Sequence, residues 1–201
     1  MKRFIGVAAA AVMMAMTAIP ANTSAAEEGA YMGIGISMFN IKYSEAGLSQ
    51  SGNALGGLLK GGYNFNENIA AELRVGTTGK TESTYPTGTL GSIAPFTVGL
   101  SNDWFISYLA KPQFKVSDNG NLFAVLGGTT GKYKIDISIL GLSAAASKTI
   151  TTFTYGAGYE HSLGGGSSVG IEYVVYGSDY NFAPGSKGSM SGLTIDYSVK
   201  F

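Results

Sequence analysis

The 201-residue sequence has no cysteine, a single histidine and a single tryptophan, and only 13% of its residues are charged. Without cysteine there is no disulfide framework and no thiolate to bind a metal or act as a nucleophile. With His161 alone there is no two-histidine metal site, and only one imidazole to serve as a base. The charged share is about half that of ordinary soluble domains. Thirteen basic residues against thirteen acidic ones leave no cationic excess, which argues against a nucleic-acid partner. After residue 19 no apolar run approaches the roughly 20 residues of a membrane helix. No window shows a convincing helical period either.

What is present begins with Lys2 and Arg3, an apolar run over 4–19, Pro20, and small residues with Ser24 and Ala26 at the −3 and −1 positions of a cleavage site. This is the layout of a secretory signal peptide, so residues 1–26 are expected to be removed and 27–201 to form one domain. That domain is rich in glycine and aromatics, and apolar residues alternate with polar ones along most of it. Eight strands are expected, at about 30–43, 53–65, 68–79, 100–116, 121–136, 148–162, 168–180 and 190–201. Most match the roughly 9–11 residues of a tilted membrane-spanning strand. Tight turns at 66–68, 117–120 and 163–167 alternate with longer stretches at 44–52, 80–99, 137–147 and 181–189, read here as loops. Short turns at one end and long loops at the other predict an all-β, eight-stranded antiparallel up-and-down transmembrane barrel. A soluble, ligand-binding calyx of eight strands is the rival.

The charges separate the two. When each strand's faces are fixed by parity, the polar face collects Lys60, Glu72, Arg74, Lys111, Glu160, Glu172, Asp196 and Lys200. All but Lys200 lie about five to seven residues from the short-turn end, in one layer. On a lipid-facing wall each Lys or Arg near midplane would cost about 2–4 kcal/mol. Facing inward, four cations and four anions can pair. The apolar face carries Tyr63, Phe65, Phe114, Tyr159 and Phe201 near the short-turn end, where an aromatic girdle belongs. Polar in and apolar out is therefore the expected orientation. Lys132 and Lys134 share the parity of outward-facing Leu122 and Leu126, so they must lie above the lipid or a bulge must change the phase. They would then be solvated or would touch anionic lipopolysaccharide. His161 falls on the outward face. "TTGKT" (77–81) is not a phosphate loop, since Arg74 stands where a glycine is required and no helix follows. Tyr85 and Phe96, within the stretch 80–99, would either anchor a ligand or pack the loop onto the rim.

The segments "LGGLLKGGYNFNENIAAELRVG" (55–76), "AKPQFKVSDNGNLFAVLGG" (110–128), "YGAGYEHSL" (155–163), "GIEYVVYG" (170–177) and "LTIDYSVKF" (193–201) resemble the OmpA-like small outer-membrane barrels. The resemblance implies a lumenal charge cluster that blocks a continuous pore, with Glu72, Lys111, Glu160 and Glu172 at family positions. Val125 and Gly170 stand where the family places arginines, and Lys60 and Arg74 offer cations from other strands. The resemblance also implies that Tyr197, Val199 and Phe201 form the mark read by the barrel-assembly machinery. The expected role is a membrane-anchored scaffold that displays surface loops for adhesion to a host or matrix ligand. Its other partners would be outer-membrane lipid and lipopolysaccharide. No cofactor and no catalysis are expected. The alternative is a narrow gated pore for ions or small solutes.

Overall fold

The computed structural model describes residues 28–45, 48–182 and 185–201; the expected signal peptide lies outside them. Nine strand segments follow one another: β1 (Gly29–Glu45), β2 (Leu48–Asn64), β3 (Ile69–Thr78), β4 (Thr81–Tyr85), β5 (Phe96–Ser117), β6 (Gly120–Ile139), β7 (Leu142–Gly164), β8 (Ser167–Tyr180) and β9 (Lys187–Lys200). A single 3-10 turn, Thr89–Gly91, stands between β4 and β5. β3 and β4 both pair with β5 and form one wall strand interrupted at Gly79–Lys80. Every pairing is antiparallel, and β1 pairs with β9 from Tyr31–Lys200 to Ser44–Lys187. The ring is therefore an eight-stranded, closed, up-and-down barrel.

The short turns follow from local chemistry. In the β2–β3 turn the Asn66 side-chain oxygen accepts the amides of Asn68 and Ile69, at 2.8 and 3.0 Å, which is an Asx turn. The β7–β8 turn holds Gly164, Gly165 and Gly166 at positive φ, a run that only glycines tolerate without strain.

At the other end two of the four expected loops, 44–52 and 137–147, are largely strand. β1 and β2 continue to Glu45 and Leu48, and β6 and β7 to Ile139 and Leu142. The latter pair is joined by the two-residue turn Leu140–Gly141, with φ of 50° and 80°, as in a type I′ hairpin. The strands thus run past the expected membrane span and form ribbons beyond it.

There the wall changes character. The β7–β8 ladder ends at Tyr155–Val175, while β7 continues on β6 and β8 on β9. The β2–β3 ladder likewise ends at Gly56–Thr78. The extracellular half therefore consists of two facing sheets, β4–β7 and β8–β9–β1–β2. A bulge at Asp103, between Asn102 and Trp104, shifts the phase of β5. Phe96, Val98, Leu100 and Asn102 thereby face inward above it, and Phe105, Ser107, Leu109 and Lys111 below it.

Candidate functional site

The interior has two layers. The lower one holds the charges. Arg74, on β3, is fully buried. Its Nε lies 2.6 Å from Glu72 Oε1, and its two terminal nitrogens grip both oxygens of Glu172 on β8 at 2.6 and 2.8 Å. The Tyr31 hydroxyl donates to the other Glu72 oxygen at 2.6 Å. Lys60 meets Asp196 at 2.5 Å, and Lys111 meets Glu160 at 2.9 Å. The Lys111 ammonium also sits 4.4 Å from the Phe123 ring centre and 5.2 Å from that of Tyr31. Lys200 is buried in the same interior. The structure thus brings together Lys60, Glu72, Arg74, Lys111, Glu160, Glu172 and Asp196. Each carboxylate has a cation, as burial of both signs requires.

Gly170 and Val125 show why arginines have no place there. A Cβ on Gly170 would lie 2.8 Å from Asp196 Oδ2. Val125 is buried in the apolar cluster. The cation count is met instead by Lys60 and Arg74, which stand opposite each other on β2 and β3. At the periplasmic end a cavity of about 10 Å³, lined by Tyr31, Asn64, Lys111, Glu160 and Lys200, has room for about one water.

Above the charges runs a belt of hydroxyls. Thr129 bonds Ser107 at 2.7 Å and Thr154 at 2.6 Å, and Thr194 donates to Ser37 at 2.9 Å. Above the belt the interior is apolar, not polar as parity had led one to expect of the whole lumen. Phe39, Phe105 and Tyr176 form a triad with ring centres 5.0–5.7 Å apart. Ile41, Val98, Leu100, Tyr133, Tyr180 and Met190 belong to the same cluster, which reaches down through Leu109 to Phe123 and Val125. All of these except Val98 lie within the expected strands, and they escaped notice because the faces were assigned from the lower part of each strand, where the inward side is polar. The available signal was alternation that continues with its faces exchanged: in β1, outward Met32, Ile34, Ile36 and Met38 give way to outward Asn40, Lys42 and Ser44, while Phe39, Ile41 and Tyr43 turn inward.

The outward face bears a continuous apolar band, including Ile36, Leu73, Trp104, Ile106, Phe114, Phe153, Ile171 and Ile195. Lys132 and Lys134 lie above it on an uninterrupted β6 face, paired with Asp103 at 3.6 Å and Asp136 at 3.2 Å. The bulge is in their partner strand. His161 stands outside beside Tyr159, at 3.3 Å. Tyr85 stacks on Phe96 with centres 5.3 Å apart and donates to the Ser49 carbonyl, so this pair packs the rim. Tyr197 and Phe201 remain exposed, but Val199, expected on the lipid face, is only 6% exposed. The β7–β8 turn lies against this end of β9, where Gly166 accepts the Lys200 amide. Among the described residues no group of three or more acidic, histidine or cysteine side chains could hold a metal.

Residues 8–201 match the family model of the outer membrane protein β-barrel domain. No curated protein sequence matches the chain. Among solved structures, neisserial surface protein A superposes with a TM-score of 0.56 at 14% identity, covering 87% of this chain and all of that one. Ail, the attachment invasion locus protein of Yersinia pestis, superposes with a TM-score of 0.52 at 22% identity, covering 86% of this chain and 99% of that one. At these identities both show the fold. With the charges inside, the apolar band outside and the family model spanning nearly the whole sequence, the chain belongs to the outer membrane protein β-barrel domain family and resides in the bacterial outer membrane.

Proposed function

We propose that the protein is a non-catalytic, membrane-anchored display scaffold that engages an extended polypeptide partner, such as a host or matrix protein, at the cell surface. The observation that carries this reading is the edge of β7. From Leu142 to Thr154 this strand pairs with β6 on one side and forms no ladder on the other. Residues 142–149, "LSAAASKT", are exposed on both faces. The edge has no proline and no bulge. Its one charge, Lys148, is engaged by the carbonyls of Asn181 and Phe182 just beyond β8. An exposed strand edge without such protection is a template for strand addition. Because Ile139 and Leu142 close a two-residue turn, ladder bonds alternate from there, and the amides of Ser143, Ala145 and Ser147 point to the free side.

Conduction is the weaker reading. The paired charges, the hydroxyl belt and the aromatic triad fill successive levels of the lumen, as in other eight-stranded barrels packed by their own side chains.

The test is Ala145→Pro, which removes one outward amide and leaves the β6–β7 ladder intact. Cells or vesicles carrying it should lose binding to immobilised matrix proteins such as fibronectin and laminin, with heat-modifiable mobility unchanged. Retained binding would exclude the β7 edge as the contact. The same reading assigns Tyr197, Val199 and Phe201 to recognition by the barrel-assembly machinery. Phe201→Ala should then lower the inserted fraction, and normal insertion would remove that assignment.

A further inference from the structure

The upper layer contains a feature that display does not need. Asn102 on β5 and Tyr133 on β6 stand directly opposite each other and face the interior. Both side chains are more than nine-tenths buried. Neither the carbonyl nor the amide of the Asn102 side chain makes a hydrogen bond, and neither does the Tyr133 hydroxyl. Thr152 lies next to that hydroxyl and donates its own proton to the Tyr176 carbonyl at 2.6 Å, which leaves the threonine oxygen as an acceptor only. A buried polar group left unpaired costs about 1–3 kcal/mol. Three such atoms in one cross-strand pair are an expensive arrangement for a purely structural site.

Their surroundings are aromatic and aliphatic. The Tyr133 ring lies 4.5 Å from that of Tyr180, and Tyr43 meets Phe182 edge to face at 6.4 Å. Ile41, Leu100, Tyr133 and Tyr180, with Lys42, Ser101 and Lys134, line a cavity of about 20 Å³ on the Tyr133 side of the pair, and Asn102 stands next to its lining at Ser101. The wall beside it is one of the two upper seams without a ladder. Between upper β7 and β8 the bonds from side chain to backbone are those of Thr152 and Thr154 to the Tyr176 carbonyl and of Lys148 to Asn181 and Phe182. Gly177 fits against Thr152 so closely that a Cβ there would lie 2.8–3.0 Å from the threonine side chain. Such a seam can part without breaking a strand pair, as can the second one between β2 and β4, whereas the other strand neighbours are joined by backbone bonds.

We propose that the extracellular half of the protein binds a small, neutral aromatic molecule bearing one head group that both donates and accepts hydrogen bonds, of the phenol or aromatic amide class. The ring lies against Tyr133 and Tyr180. The head satisfies the Asn102 amide and the Tyr133 hydroxyl. The ligand enters as the β7–β8 seam parts, enlarging the cavity.

The experiment uses the folded protein in lipid nanodiscs, labelled with 15N, titrated with 4-fluorophenol and, separately, with fluorobenzene. Expected are saturable shifts of the Asn102 side-chain amide with the phenol, absent in empty nanodiscs, and at least tenfold weaker binding of fluorobenzene. Asn102→Leu and Tyr133→Phe should each weaken the phenol at least tenfold. Asn102→Leu should at the same time raise the urea midpoint of the ligand-free protein, the opposite of what a structural asparagine would do. A Thr152→Cys/Gly177→Cys variant should take up the phenol when reduced and lose uptake when the disulfide locks the seam. No saturable shift, with the Asn102 amide exchanging only with water, would overturn the site. Undiminished binding in both single variants would overturn its assignment to these residues, and equal uptake by the locked and reduced forms would overturn the route.

Discussion

The lower and upper halves of this molecule use the same strands in opposite ways. In the lower half, β6 turns Leu122 and Leu126 outward; in the upper half the same face of the same strand carries Lys132, Lys134 and Asp136. Inside, the order reverses, from the ionic layer around Arg74 to the cluster around Phe39, Phe105 and Tyr176. The solvent explains the inversion. Lipid offers no hydrogen bonds, so the lower wall must be a closed ladder, and its charges are tolerated only within the lumen and in pairs. Above the lipid, water satisfies exposed backbone groups. The ladder can open into two sheets, and these are held together as in a soluble sandwich, by apolar side chains between them. One chain thus follows the membrane rule below and the globular rule above, with Thr129 and Ser107 near the boundary.

The comparison can be broken most severely at Arg74. Arg74→Ala leaves Glu72 and Glu172 buried without their main cation and should cost about 3–5 kcal/mol, read as a lowered urea midpoint in lipid vesicles. An unchanged midpoint would mean that water reaches the lower layer. Phe105→Ala, one level up, should cost about 3 kcal/mol through lost burial and a cavity. It should also speed hydrogen exchange in upper β1 and β8 while lower β3 stays protected. Uniform acceleration would show that the halves do not differ in cooperativity. Thr152→Ala touches only the seam and should cost about 1 kcal/mol, with faster exchange confined to upper β7 and β8; protection as in the parent would mean that the seam is closed by something else.

The smallest effect belongs to the exposed ionic ladder. The hydrogen bond to Glu82, 2.8 Å away, chiefly raises the Lys80 pKa, and Asp136 adds to it. A lysine whose folded pKa is raised contributes fully below its ordinary pKa, and the contribution is lost as pH rises through the raised value. Being exposed, the pair is worth about 0.2–1 kcal/mol. Urea midpoints of the parent and of Glu82→Gln should differ at pH 8 and converge as pH rises through the raised Lys80 pKa, located by NMR titration of its side chain. A difference that persists once Lys80 has lost its proton would exclude it as the source.

Much of this was open to inspection in the sequence. Parity alone places Glu72, Arg74, Lys60, Lys111, Glu160, Glu172 and Asp196 on one face, because side chains in a strand alternate without exception unless a bulge intervenes. The tight turns at 66–68 and 163–167 carry their Asn and Gly chemistry openly. The upper strands were harder to read. In β7, "LSAAASK" has no apolar alternation at all, and only pairing with β6 makes it a strand. In β5 the bulge at Asp103 reverses the faces, so a reading carried upward from Trp104 gives Val98 and Leu100 the wrong side.

By itself the sequence determined the compartment, the ring of eight strands and the sign of the lumen in its membrane half, since all three rest on local period and on the cost of charge in lipid. The tertiary structure alone decided which charge meets which. Arg74 grips Glu172 from across the barrel, and that choice depends on strand stagger and side-chain reach. It also decided where the ladder stops and the two sheets begin. The outward change from Met38 to Asn40 in β1 marks the height of that point, but which strand pairs part there is decided only when the sheets pack.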